Sequence, residues 1–137
     1  MSDDRLQKIL DEALEDEFKA RATYAAIIHT FGPVKPFVNI VESEGRHAAA
    51  LLQQYQRLGL KPPHNNWAAH DIEVPATLRE ACEAAIAAEV ENAGMYERLL
   101  AQTDDPVLQG VLANLRDSSQ SRHLPAFKRC LERESRA

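Results

Sequence analysis

Four long runs, each with an apolar residue every three or four positions, constrain this chain more than any other feature. The first runs from Asp3 to Phe31 through Leu6, Leu10, Ala13, Ala20, Tyr24, Ile27 and Phe31, and stops at Gly32-Pro33. The second, from Pro36 to Leu58, carries Phe37, Ile40, Ala48, Leu51, Tyr55 and Leu58, and Gly59 is placed to cap it. The third starts at the Thr77–Glu80 capping box and carries Leu78, Cys82, Ala85, Ala93, Tyr96 and Leu99 or Leu100. The fourth restarts at Asp105-Pro106 and runs to Glu134 through Leu108, Leu112, Leu115, Phe127 and Leu131. This spacing is that of amphipathic helices. Pro125 falls inside the fourth pattern and predicts a kink there, because it cannot donate to the carbonyl of Ser121.

Two short links and one long one, Lys61 to Val74, predict an all-α antiparallel four-helix bundle with the longer connection between helices two and three. With 137 residues, the chain has room for one sizeable core and is expected to form a single domain. Only 5 Gly and 7 Pro argue against an all-β fold, which needs a turn about every ten residues. The net charge of -5, with no basic run, argues against nucleic acid as a partner. No apolar stretch approaches the ~20 residues that span a bilayer, and the acidic start Met-Ser-Asp-Asp is unlike a signal peptide. Cys82 and Cys130 are far apart and in no metal-binding spacing, so they read as reduced thiols of a cytoplasmic protein.

What interrupts the apolar stripes points to function. The first stripe passes through Glu17, the second through Glu44 and His47, the third through Glu89, and the fourth near Gln120 and through His123. Each helix thus aims a metal-ligating side chain inward about midway along its length. Buried Glu is costly unless it is paired or bound to a cation, and no Lys or Arg shares these stripes. In Glu44-x-x-His47 the two side chains share a helix face, so one metal can take the imidazole while the carboxylate bridges to a second. The two halves of the chain repeat the pattern: Glu17 stands seven before Tyr24 and Glu89 seven before Tyr96, and Glu44-x-x-His47 is matched by Gln120-x-x-His123. His29, His64 and His70 lie off the stripes or in the long link and read as exposed, and Trp67 reads as a plug over the bundle end.

The segments Glu17-Phe18-Lys19-Ala20 with Tyr24, Asn39 to His47, Glu89 to Tyr96, and Ser119 to His123 followed by Leu124 and Phe127 resemble the ferritin-like superfamily. The likeness is to its rubrerythrin-type branch and a related family of uncharacterised ferritin-like domains. It covers nearly the whole chain and is most specific in the second helix. The resemblance implies a di-metal centre, two irons, with manganese or zinc able to use the same ligands. Glu17 and Glu89 would be terminal carboxylates, Glu44 would bridge, and His47 and His123 would each cap one metal. Gln120 stands where a second bridging Glu is usual, and Asn92 where a further Glu often occurs. Three carboxylates leave two divalent ions one charge short of neutral, which predicts a weaker second site or help from an oxyanion, hydroxide or Glu91. Tyr24 and Tyr96 are expected to hydrogen-bond the ligating carboxylates.

The activity implied is oxidase, peroxidase or ferroxidase chemistry on dioxygen, peroxide or Fe(II). No Cys-x-x-Cys pair is present to hold a rubredoxin-type iron, so electrons would come from an external donor or from Fe(II) itself. The alternative is a non-enzymatic metal-binding or partner-binding bundle with a degenerate site, which Gln120 favours. Family members are commonly dimers, and Ala84, Ala87 and Ala88 allow a second helix to approach, so a homodimer is expected.

Overall fold

A computed structural model describes residues 2–136. They form five α-helices: α1 (Ser2–Phe31), α2 (Phe37–Leu58), α3 (Leu78–Leu100), α4 (Pro106–Ser118) and α5 (Leu124–Arg136). A π-helical turn, Ser119–His123, joins α4 to α5, so that the last three elements make one long fourth helix. No strand occurs among the described residues, and the four long helices pack together. α1 lies on α2 and α3 on the fourth helix; contacts of α1 with α3 and of α2 with α4 join the two pairs. The Lys61–Val74 link is irregular apart from a single turn at Ala69–Asp71. Among the described residues no helix is long and apolar enough to cross a membrane.

The helix ends follow from local chemistry. Gly59 adopts φ 69°, and its N–H donates to the carbonyls at the end of α2; a left-handed residue costs glycine least. The Thr77 hydroxyl accepts from the Glu80 N–H at 3.1 Å, and Asp105 accepts from the Leu108 N–H at 2.9 Å just ahead of Pro106.

Where the sequence predicts a kink at Pro125, the structure has the π turn immediately before it. The Leu124 N–H donates to the carbonyl of Ser119, five residues back. That wider turn absorbs the disruption caused by a proline one residue later and rotates the register of everything between.

The core is split in two. Leu10, Leu14, Leu51, Tyr55, Tyr96, Leu99, Leu108 and Leu112 belong to one buried cluster. Tyr24, Ile27, Phe37, Ile40, Cys82, Phe127 and Cys130 belong to the other. Along each helix the boundary between them falls at the polar residues that interrupt the stripe.

One expectation is overturned here. Cys82 and Cys130 are not free thiols: they form a disulfide between α3 and α5, with Cα atoms 6.1 Å apart. Both are fully buried on facing helices, which brings together residues 48 apart in sequence. The argument from reduced thiols to a cytoplasmic setting falls with that pairing. Closing a loop of this length stabilises a fold by up to about 4 kcal/mol through loss of chain entropy in the unfolded state. Urea denaturation of the oxidised and the reduced protein should differ by an amount of this order, with the reduced form less stable.

Candidate metal centre

The polar layer between the two apolar clusters contains Glu17, Glu44, His47, Glu89 and His123, all at most 8% exposed. α1 supplies Glu17, α2 supplies Glu44 and His47 one turn apart, α3 supplies Glu89, and the π turn supplies His123. Nδ1 of His47 lies 3.2 Å from Glu17 Oε2 and 3.8 Å from Glu44 Oε2. Nδ1 of His123 lies 3.1 Å from Glu44 Oε1 and 3.2 Å from Glu89 Oε1. Two groups result, Glu17–Glu44–His47 and Glu44–Glu89–His123, each with ligand atoms within 4.8 Å of one another. Either group could hold a metal ion. Glu44 belongs to both, and its two oxygens face different histidines.

The imidazoles are oriented from behind. Their rings stack at 5.4 Å between centroids. Ser43 Oγ lies 3.3 Å from Nε2 of His47 and 3.0 Å from Nε2 of His123, and Ser118 Oγ lies 3.3 Å from the latter. With a cation in place, an Nε2–H donating to these hydroxyls would free each Nδ1 lone pair to ligate it; without one, Nδ1–H of His47 donates to Glu17. The carboxylates are held as well. The Tyr24 hydroxyl donates to Glu89 at 2.6 Å. Asn92 Nδ2 donates to Glu17 at 3.3 Å and to Asp16 at 2.5 Å, and Ser119 Oγ donates to Asn92 Oδ1 at 2.5 Å. The hydroxyl of Tyr96, buried beside this layer, has no hydrogen-bond partner.

The electrostatics show what the layer lacks. Among the described residues no Lys or Arg pairs with Glu17, Glu44 or Glu89; their charged neighbours are the two histidines and further acids. Burial, and then the charges of Glu17, Glu89 and Asp16, push Glu44 well above its ordinary value of 4.5. Burial alone would raise Glu17 too. Hydrogen bonds from His47 and from the protonated Glu44 outweigh it and hold Glu17 below 4.5. Burial likewise raises Asp16, partly offset by Asn92. Burial and the charge of Glu89 keep Tyr24 protonated, so it remains a donor to that carboxylate. A proton on Glu44 thus occupies the place where a cation would neutralise the acids.

Gln120 is exposed and does not join the site, contrary to the sequence expectation. An α-helical register puts residues 120 and 123 on one face; the π turn replaces Gln120 with Ser119, which is 1% exposed. Tyr24 contacts a carboxylate as expected, whereas Tyr96 makes no hydrogen bond. Asn92 is present, reaching Glu17 as an amide. Asp16, Ser43 and Ser119 escape the sequence reading. Asp16 and Ser43 each precede a stripe Glu by one residue, and Ser119 is hidden by the register change. His29, His64 and His70 are exposed, as expected. Trp67 is half-buried, with its ring N–H donating to Glu15 at 2.7 Å. No family model matches this chain, and no curated protein matches it.

Two predictions follow from this geometry. Gln120→Glu should leave metal stoichiometry unchanged and alter stability by no more than about 0.5 kcal/mol, as for other exposed substitutions; metal titration and thermal melting read both. The second concerns pH. Above 4.5, unfolded Glu44 gives up its proton while the folded side chain keeps it. Raising the pH through that window should destabilise the metal-free fold, by at most about 1.4 kcal/mol per pH unit for one group, until folded Glu44 ionises. Glu17, shifted the other way, loses its contribution only as pH falls below 4.5. Glu44→Gln should flatten this decline and raise the metal-free melting temperature at neutral pH, while weakening metal binding at both sites.

Proposed function

We propose that this chain is a ferritin-like di-metal carboxylate protein, a single antiparallel four-helix bundle whose polar layer holds two irons. The observation that carries the reading is Glu44, whose two oxygens face two separate Glu–His sets. The donors fit: three carboxylates and two imidazole nitrogens converge in a buried layer with no basic side chain, and harder oxygen donors mixed with imidazole suit iron, manganese and zinc. The partnerless hydroxyl of Tyr96 beside that layer also fits a site completed by a ligand. Glu17 with His47 would hold one ion, Glu89 with His123 the other, and Glu44 would bridge.

When bound, an iron pair would supply electrons and Lewis acidity to dioxygen, peroxide or incoming Fe(II). The chain's own residues do the rest. Tyr24 fixes the rotamer of Glu89 and Asn92 that of Glu17. Ser43 and Ser118 would accept from the Nε2–H of histidines that ligate through Nδ1. The two apolar clusters keep bulk water from the layer, which strengthens every charge interaction inside it. Access runs by two clefts. One, of about 530 Å³, is lined by Ser43, Arg46, His47, Ser118 and Arg122. The other, of about 60 Å³, is lined by Asp16, Lys19, Glu89 and Asn92.

The runner-up is a bundle that holds metal without turning over substrate. It is favoured by one observation: with Gln120 on the surface, nothing supplies a second bridging carboxylate. Anaerobic Fe(II) titration followed by peroxide or oxygen separates the two. The leading reading expects two Fe(II) per chain, oxidised rapidly on addition. His47→Ala and His123→Ala should each lower the stoichiometry toward one, and Glu44→Ala should weaken both sites. Two ions bound without oxidation would favour the runner-up, and no binding would contradict both. External electron donors and a homodimer through the exposed Ala84, Ala87 and Ala88 strip of α3 belong to the same proposal; a monomer by light scattering at high concentration would remove the dimer.

A further inference from the structure

The disulfide stands in a fixed relation to the metal centre. Cys82 lies seven residues before Glu89 on α3, and Cys130 lies seven residues after His123 on the fourth helix. Seven helical residues span about 10 Å along the axis. The two helices that contribute one half of the centre, Glu89 and His123, therefore also contribute the two sulfurs, at matched depth. The space between is packed. Tyr24, Phe37 and Phe127 belong to the same buried cluster as both cysteines. The Tyr24 ring lies 5.7 Å from that of Phe37 and 5.3 Å from that of Phe127. Its hydroxyl donates to Glu89 at 2.6 Å. One side chain thus reaches from a metal-facing carboxylate into the cluster that encloses the sulfurs.

Cys82 is 0% exposed and Cys130 is 1% exposed. Peroxide cannot reach them directly, whereas electrons can cross a packed core of this depth. A staple between α3 and the fourth helix would serve stability anywhere along their length; this one sits two turns from the centre, in contact with its flanking cluster.

We propose that Cys82 and Cys130 are a two-electron store for the metal centre, the thiol pair acting as internal reductant for hydrogen peroxide consumed there. The proposal rests on the di-metal reading above. In the overall step two S–H bonds break and one S–S bond forms. The two electrons released cleave the O–O bond of hydrogen peroxide. The two thiol protons end on its oxygens, so that two thiols and one peroxide give one disulfide and two waters.

The test uses the full chain with its disulfide reduced and the reductant removed. Three samples are prepared without oxygen: loaded with Fe(II), loaded with Zn(II), and metal-free. Hydrogen peroxide is added stepwise, and free thiols are counted by alkylation and mass spectrometry of quenched aliquots. In the iron sample two peroxides per chain should be consumed, drawing two electrons from the ions and two from the thiols, and by that point both thiols should be gone and the Cys82–Cys130 bond formed. The zinc and metal-free samples should lose thiols more than about tenfold more slowly, because buried sulfur is shielded from the oxidant and zinc carries no electrons. Intact thiols in an iron sample that consumes peroxide would show the disulfide to be structural and leave the metal reading standing. Equal loss in the metal-free sample, including loss caused by unfolding on reduction, would overturn the proposal as direct oxidation. Failure to bind iron at all would overturn both, and the preceding metal titration identifies that case.

Discussion

Three carboxylates buried in the middle of the molecule, with no Lys or Arg among the described residues to pair with them, are the condition to which the rest of this structure answers. Removing even one such charge from water costs several kcal/mol unless something of opposite sign replaces the solvent. Here the layer is closed above and below by apolar clusters, and each of the four helices contributes at least one of its members. Without a cation, burial and the neighbouring acids push the Glu44 carboxyl well above its ordinary value, which favours a proton there that Glu17 can accept. That arrangement disperses one charge of three. A cation between the oxygens of Glu44 and the imidazoles would do more, and Tyr24, Asn92 and Ser43 hold the donors in place for it.

Most of this was legible in the sequence because the helical period is regular where the core is regular. Glu17, Glu44, His47, Glu89 and His123 stand out as polar residues on apolar stripes, and all five meet in the structure. Gln120 was misplaced for the opposite reason. The period changes inside the fourth helix, and a π turn shifts the inward position from residue 120 to Ser119. A sign of this was present: Leu115, Ser119, His123 and Phe127 recur every four residues on either side of Pro125, which is too long a step for an α-helix to keep on one face. The pairing of Cys82 with Cys130 depends on how α3 meets α5, a tertiary relation that spacing within one helix does not encode. Asp16 was hidden because it flanks its stripe; it gains contact with the layer only through Asn92, across two helices.

The same layer explains the asymmetry of the surface around it. The histidine edge opens toward Arg46, Arg122 and Asp117, and the carboxylate edge toward Asp16, Lys19 and Glu91. Bases outnumber acids at the first opening and acids outnumber bases at the second, a difference of charge that salt screens. The fourth helix joins these features, since its π turn places His123 and its continuation carries Cys130.

The central claim is that Glu44 bridges two metal ions, and anomalous diffraction from crystals grown with Mn(II) or Fe(II) tests it most directly. The account predicts two peaks ~3.5–4 Å apart, one against Glu17 and His47, the other against Glu89 and His123, with a Glu44 oxygen at each. A single peak that leaves Glu44 bonded to Glu17, or peaks confined to surface acids, would contradict it.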